Sequence, residues 1–280
     1  MQGFEERCAR FKGAGLHYEV GGSGAPLLLL HGLGGALSNW VALAPALALR
    51  HRVLAVDLPG HGRSDPLPAA PNLDAFAERV ALLAEREEML PAAIVGHSAG
   101  GLIALRLAAR RPEAVTAIVL AASAGISTVR RKAHLTVELL ALARPGRLLA
   151  PFRASIARRP ALRYLAFGWW GAADPPALSS AAVEGFLAGP SLHTDTTGLG
   201  RALVRDDPRV DLERVTCPCL VLWGARDNWV LLEDGFEFAR RLRAPLRLIP
   251  DCGHLLIGER PDACLDAIES LVGEPRVPPR

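Results

Sequence analysis

Lysine is almost missing from this chain. Only Lys12 and Lys132 occur, and arginine supplies the rest of the 32 basic residues. Against 29 acidic residues the formal net charge is +3, so no global electrostatic field argues for a nucleic-acid partner. A long uninterrupted apolar run is missing too. The stretch Gly21–Leu49 contains no Asp, Glu, Lys or Arg, but Pro26, His31, Asn39, Pro45 and a cluster of glycines break it. That excludes one continuous membrane-spanning helix and points to buried core. Residues Met1–Lys12 carry Glu5, Glu6, Arg7 and Arg10 and no hydrophobic h-region. No secretory signal is therefore read, and a cytoplasmic location is expected. The five cysteines, Cys8, Cys217, Cys219, Cys252 and Cys264, form an odd set without metal-ligand spacing, and Cys217-Pro-Cys219 is not a CxxC pair. Free thiols in a reducing compartment, and no metal or cofactor, are the expectation.

What is present is a rhythm. Weak alternation over Leu16–Val20 reads as a strand closed by the turn Gly21–Gly24, and Pro26–Leu30 is short and continuously apolar, the mark of a strand buried on both faces. Ser38–Arg50 reads as a helix with Ser38 as its N-cap, Arg52–Val56 as a buried strand, and Leu73–Met89 as a helix capped by Asn72. Further strands are expected at Ala92–Val95, Ala117–Ala121, Leu220–Trp223 and Leu246–Ile249, with helices over 102–110 and near 231–243 and 261–272. From Ser127 to about Leu203 no strand is visible, only helical runs punctuated by Pro145-Gly146, Pro151, Pro160, Pro175-Pro176 and Gly189-Pro190. The alternation implies an α/β fold, a doubly wound and mostly parallel sheet with helices on both faces. Residues 1–125 and 206–280 would form its core, and residues 126–205 a helical cap inserted between strands.

Chemistry is suggested first at Ile94-Val95-Gly96-His97-Ser98-Ala99-Gly100-Gly101. An apolar strand that runs into Gly-X-Ser-X-Gly and turns at once into a helix is either a plain Gly/Ser turn or a nucleophile elbow. A serine hydroxyl needs a base, and the base an orienting acid. Downstream, one strand ends in Gly224-Ala225-Arg226-Asp227 and the next in Pro250-Asp251-Cys252-Gly253-His254. Ser98, Asp227 and His254 thus each follow a separate strand, where open α/β sheets place their ligand sites.

These pieces, together with His31-Gly32-Leu33-Gly34 followed by Trp40 and with Asp57-Leu58-Pro59-Gly60-His61-Gly62-Arg63-Ser64, resemble the α/β-hydrolase superfamily, in particular its compact capped bacterial serine esterase-like members. The resemblance spans nearly the whole chain and weakens through the cap. It implies Ser98 as nucleophile, His254 as base and Asp227 as orienting acid, with the backbone N–H groups of Leu33 and Ala99 as an oxyanion hole. It also implies that His31 shapes the oxyanion loop and that Asp57 and His61 belong to a structural loop rather than to an acid–base pair. His97 would line the substrate site or pack. Asp251 competes with Asp227 but stands close to His254 in sequence, and Ala121-Ala122-Ser123-Ala124 offers no carboxylate after the earlier strand.

A serine at the elbow argues against dehalogenase and epoxide hydrolase relatives, which use aspartate there. Leu33-Gly34-Gly35 departs from the His-Gly-Gly-Pro-Gly loop of proline-releasing peptidases. Hydrolysis of esters, thioesters or lactones of small apolar acyl groups is the expectation. C–C hydrolysis of ring-cleavage diketones, or ligand binding without catalysis, are the alternatives. Between Ile126 and Trp170 nine basic residues, from Arg130 to Arg163, face the single acid Glu138 and alternate with apolar residues. Phe167, Trp169 and Trp170 are expected beside His97 as substrate contacts on an apolar lid. The basic side is read as an ordinary solvated face, as a site for acidic substrates, or as a membrane-surface contact.

Overall fold

In the computed structural model the described residues are 1–11, 13–68, 71–127, 145–168 and 171–273. Eight strands form one sheet: β1 (Phe4–Phe11), β2 (Ala14–Gly21), β3 (Ala25–Leu30), β4 (His51–Val56), β5 (Ala92–His97), β6 (Val115–Ala121), β7 (Cys219–Gly224) and β8 (Leu246–Ile249). Their order is β1-β2-β4-β3-β5-β6-β7-β8. β1 and β2 run antiparallel to each other, β2 runs antiparallel to β4, and every other pairing is parallel. The mostly parallel α/β fold expected from the alternation is the fold observed. Leu27 to Leu30 of β3 and Ile94 and Val95 of β5 are fully enclosed, because helices cover both faces of the sheet.

Two local readings need correction. β1 was invisible as a strand, since its charged residues sit at the outer edge of the sheet, where lateral pairing is available on one side alone. The helix expected over Ser38–Arg50 is instead two short turns, Leu37–Trp40 and Ala44–Leu47. Pro45 cannot donate inside a helix and so stands in the first positions of the second turn, just after Ala44. Ser38 is not a cap; its hydroxyl donates to the Gly185 carbonyl at 2.7 Å.

Helix α1 (Leu73–Arg86) is capped as expected, Asn72 accepting the Ala75 N–H at 3.0 Å. Helix α2 (Ala99–Arg110) follows β5 without a break and is buried along most of its length. Among the described residues the chain between Ala122 and Pro218 holds no strand. It comprises α3 (Pro145–Leu149), α4 (Arg153–Arg158), α5 (Pro160–Phe167), α6 (Ser180–Ala188), α7 (Thr197–Arg205) and single turns. This segment is tied to the sheet's loops: Leu255 N–H donates to Gly171 O at 2.9 Å, and the N–H groups of Thr194 and Asp195 donate to Gly60 O at 3.1 and 3.0 Å. Its return is pinned by Arg106 of α2, 2% exposed, which reaches Asp211 at 2.6 Å, Asp74 at 3.0 Å and Asp206 at 3.5 Å. Helices α8 (Leu232–Leu242) and α9 (Pro261–Val272) complete the cover.

Candidate active site

Four loops at the carboxyl ends of β3, β5, β7 and β8 converge. β5 ends at His97, and Ser98 turns the chain into α2 with φ 52° and ψ −118°. That conformation is strained for a side chain-bearing residue and persists only where surroundings enforce it. Here the Ser98 N–H donates to Ala121 O at 3.0 Å, and the Ser98 carbonyl accepts from Gly101 at 3.0 Å and Ala124 at 3.1 Å. A Cβ on Gly96 would lie 2.5 Å from the Gly100 backbone, so strand and helix can cross this closely only without one. Ala99 is the first residue of α2, and its N–H has no acceptor within the helix.

After β3 the chain makes a turn over Gly32–Gly35, closed by Gly35 N–H on Gly32 O at 3.0 Å, with Gly34 at φ +72°. A Cβ on Gly32 would sit 2.9 Å from Ser98 Cβ and 3.4 Å from its Oγ, so this turn lies directly against the serine. His31 is fully enclosed and both its nitrogens are engaged. Leu58 N–H donates to Nε2 at 3.0 Å, which leaves the proton on Nδ1 to donate to Gly32 O at 2.7 Å. Because a trans peptide sends C=O and N–H opposite ways, holding the Gly32 carbonyl fixes the direction of the Leu33 N–H. Burial pushes His31 down to about 4, outweighing the nearby Asp57 charge, and keeps the ring in the neutral state that this pattern requires.

His254, 4% exposed, places Nδ1 2.8 Å from Asp227 Oδ2. The other Asp227 oxygen accepts the N–H groups of Trp229 at 2.8 Å and Val230 at 2.9 Å. Burial alone would raise Asp227, but the His254 charge and hydrogen bond and those two N–H groups hold it below its ordinary value. An ionised Asp227 makes Nδ1 the proton-bearing nitrogen of His254 and leaves Nε2 as an acceptor. Among the described residues no hydrogen bond joins Ser98 Oγ to His254. Glu259 helps to place the histidine, taking Gly253 N–H on one oxygen and Ala173 N–H on the other, each at 3.0 Å. Burial raises the Glu259 carboxyl above its ordinary value despite those N–H groups.

His97 lies behind the site, its ring centroid 4.9 Å from that of His254. Its Nε2 donates to the His254 carbonyl at 2.8 Å, and its Nδ1 has no partner among the described residues. Burial, reinforced by the His254 charge, pushes it down to about 3, so the ring stays neutral. Asp251 is not at the histidine; it pairs at the surface with Arg226 at 2.8 Å. Asp57 and His61 do not pair either. Asp57 accepts Leu37 N–H at 2.8 Å, Arg63 N–H at 3.0 Å and His17 Nδ1 at 2.7 Å, whereas His61 Nδ1 lies 3.1 Å from Pro59 O. Phe167 is buried against Phe186, with centroids 6.3 Å apart, while Trp169 and Trp170 lie outside the described residues. Of the arginines expected on the basic face, Arg147, Arg153, Arg158 and Arg159 are exposed. Arg163 instead binds carbonyls, reaching Pro176 O at 3.1 Å and Leu178 O at 2.5 Å.

Sequence reasoning missed Glu259, His17 and His193. His193 Nδ1 accepts Gly62 N–H and its Nε2 lies against Gly34 O, both at 2.9 Å. No spacing or motif marks these residues, since their partners are set by the tertiary fold. Among the described residues no three His, Cys, Asp or Glu side chains are grouped so as to hold a metal ion, and no helix is long and apolar enough to cross a membrane.

The alpha/beta hydrolase family model matches residues 27–267, and the chain belongs to that family. Over 246 residues it is 32% identical to the dihydrolipoyllysine-residue acetyltransferase component of the acetoin cleaving system of Pseudomonas putida; that match covers 85% of this chain and 61% of that protein's length. It is 30% identical over 266 residues to the pimeloyl-[acyl-carrier protein] methyl ester esterase of Nitrosomonas europaea, covering 91% of this chain and 100% of the esterase. A shorter match, 42% over 110 residues, links it to the 2-hydroxymuconate semialdehyde hydrolase of a Pseudomonas species and covers 38% of this chain and 39% of that enzyme.

Proposed function

We propose that this hydrolase cleaves carboxylic esters of apolar acyl groups through an acyl-enzyme on Ser98. His254 is the base, Asp227 the orienting acid, and the N–H groups of Leu33 and Ala99 the oxyanion hole. The observation that carries the reading is His254 held by ionised Asp227 through Nδ1, with Nε2 left as an acceptor, on the loops after β8 and β7, three and two strands along the sheet from the β5 end where Ser98 makes its strained turn. Catalytic hydrogen bonds often form or tighten only with substrate, so the lack of a Ser98–His254 hydrogen bond is compatible with the role.

The chemistry follows from the groups. As Ser98 Oγ attacks the acyl carbonyl carbon, His254 Nε2 takes the hydroxyl proton and the carbonyl electrons move onto oxygen. That oxygen accepts the Leu33 and Ala99 N–H groups, which prefer the charged intermediate over the neutral ester. The intermediate collapses, the C–O bond to the alcohol breaks, and His254 returns its proton to the departing oxygen. Water, deprotonated by the same nitrogen, then attacks the acyl-serine and regenerates Ser98. Throughout, Asp227 stabilises the imidazolium without itself taking the proton.

Residues 126–205 act as a cap over the core formed by 1–125 and 206–280. Exposed Arg147, Arg153, Arg158 and Arg159, with no acid between residues 145 and 173, suit an anionic substrate or carrier. The related esterase named above acts on an acyl-carrier protein ester, so an ester on an acidic carrier is the favoured substrate class, in a cytoplasmic setting. The local match to a semialdehyde hydrolase supports C–C hydrolysis as the second reading. A p-nitrophenyl acyl ester series and a dienoic ring-fission diketone, each run with wild type and Ser98→Ala, separate the two. Ester turnover should favour short-to-medium chains and vanish in Ser98→Ala. Failure of every ester, together with no labelling of Ser98 by an organophosphonate, would refute the proposal.

A further inference from the structure

The turn proposed to hold the oxyanion has little to stiffen it. Three of its four residues, Gly32, Gly34 and Gly35, are glycine, the residue with the most backbone freedom to lose. A Cβ added at Gly34 would meet nothing within 4 Å, so no packing holds that side of the turn. An oxyanion donor works only when it is fixed before the charge develops. Side chains must therefore do the fixing. His31 holds the Gly32 carbonyl, but the next link is made by a residue 159 positions away, His193 on the Gly34 carbonyl.

The polarity of that link is set by the far nitrogen of the same ring. Gly62 N–H donates to His193 Nδ1, so the proton sits on Nε2 and donates to Gly34 O. Gly62 belongs to the loop anchored on Asp57, which takes Arg63 N–H at 3.0 Å. His193 also packs edge-on against His61 with centroids 5.2 Å apart, and His61 against His31 at 5.2 Å. The consequence travels along peptide planes. Holding Gly34 C=O orients Gly35 N–H, which closes the turn on Gly32 O, whose own plane carries the Leu33 N–H.

We propose that His193 is a positioning residue for the oxyanion hole, acting through its Nε2–H on Gly34, so that the helical segment between β6 and β7 contributes directly to transition-state binding. This rests on the serine hydrolase reading of Ser98 and deepens it. His193 touches no reacting atom. Its part is to keep one peptide of a glycine-rich turn from rotating.

Three substitutions test it. In His193→Gln the amide nitrogen can occupy the Nε2 position and keep the Gly34 bond, losing Gly62. In His193→Asn the amide oxygen can occupy the Nδ1 position and keep the Gly62 bond, losing Gly34. His193→Phe keeps the ring and loses both. The readouts are kcat and KM on a short-chain p-nitrophenyl ester, the rate of Ser98 phosphonylation by a p-nitrophenyl phosphonate whose oxygen uses the same donors, and the Tm. The expected order is His193→Gln within threefold of wild type in kcat and phosphonylation rate, and Asn and Phe lower by tenfold or more with KM changed less than twofold. Equal losses in Gln and Asn, rates unchanged in all three, or losses that follow Tm instead of the Gly34 bond, would overturn the proposal. If Phe fails to fold, the Gln–Asn comparison still decides. A parallel Ser98→Ala control separates the two levels: turnover that survives it refutes the hydrolase reading itself, whereas Ser98-dependent rates with a flat His193 series refute only the positioning role.

Discussion

Gly32→Ala adds one methyl group at the point where the turn meets Ser98. The new Cβ would lie 2.9 Å from Ser98 Cβ and 3.4 Å from both Ser98 Oγ and His97 O. Carbon–carbon contacts are comfortable at about 3.5–4.0 Å, so the turn or the serine must retreat by about 0.6–1.1 Å. The serine side is held by hydrogen bonds to Ala121, Gly101 and Ala124, so the glycine turn is the part that gives. A displacement of roughly 1 Å in a catalytic constellation costs on the order of 10²-fold, equivalent to about 2.7 kcal/mol of transition-state stabilisation. The overpacking itself costs about 1–3 kcal/mol of folding stability. Gly34→Ala separates sterics from backbone strain, because Gly34 has open space around its Cβ position but φ +72°. It should lose about 1–2 kcal/mol of stability from the left-handed conformation and less than fivefold in kcat. Steady-state kinetics on a p-nitrophenyl ester, with urea unfolding of both variants, provide the comparison. A folded Gly32→Ala protein that keeps kcat within threefold of wild type would refute the oxyanion role proposed for the turn against Ser98.

Asp227→Asn should lower kcat by about 10³–10⁴ with KM little changed, since the amide no longer dictates the Nδ1–H tautomer of His254; steady-state kinetics with an active-site titration check it. The buried His17–Asp57 pair gives a stability prediction with a defined window. Burial opposes both charges, yet the Asp57 hydrogen bond and charge, with those of Glu6, raise His17 above 6.5, and the His17 hydrogen bond, the nearby His31 ring and the Leu37 and Arg63 N–H groups lower Asp57 below 3.8. The aspartate's contribution is complete above 3.8 and lost as pH falls through its lowered folded value. The histidine's is complete below 6.5 and lost as pH rises through its raised folded value. The stability gap between wild type and His17→Gln should therefore be widest between about pH 4 and 6.5, and a gap independent of pH from 3 to 9 in urea unfolding would contradict it. Arg106→Met leaves the buried Asp211 without its guanidinium partner and should cost about 3 kcal/mol or more, read as a lower urea midpoint with an unchanged slope.

How far the sequence could be read depended on where each signal resides. β3, β4, β5 and β7 were legible because strands covered on both faces are written as short continuous apolar runs. β1 was not, because Glu5, Glu6, Arg7 and Arg10 on an edge strand look like a solvated tail until β2 pairs with them along all eight residues. Ser38 resembled a helix cap by type and place, yet its hydroxyl found the Gly185 carbonyl 147 residues away. The loops bearing Ser98, Asp227 and His254 were legible for the opposite reason. Each is a local pattern at a strand end, and parallel pairing brings those carboxyl ends to the same side of the sheet. His17, His193 and Glu259 carry no such mark. His17 meets Asp57 across 40 residues and His193 meets Gly62 across 131, contacts that exist only once the loops are stacked.

That division has a chemical meaning. The groups proposed to bond with substrate atoms are few, and chemistry restricts which residues can fill them, so type and spacing reveal them. The groups that aim them are backbone amides, which every residue has, and an amide is aimed by whatever holds the carbonyl on the same peptide plane. At this site the holders are His31 on Gly32, His193 on Gly34 and Glu259 on the N–H of Gly253. The two histidines act as polar clips only with one ring nitrogen protonated and the other not, and burial enforces that state in His31 by pushing it to about 4. A buried neutral imidazole has a donor at one end and an acceptor at the other, so it can join two loops whose exposed groups are a carbonyl and an N–H. A glycine turn that must approach Ser98 within van der Waals distance cannot be stiffened by side chains of its own. Stiffness has to be supplied from outside the turn, and one of its two suppliers is the helical segment that also closes over the site in the proposed function. Substrate contacts that displace the segment around His193 should therefore change kcat as well as KM, a coupling that a lid resting on the core without such a clip would not produce.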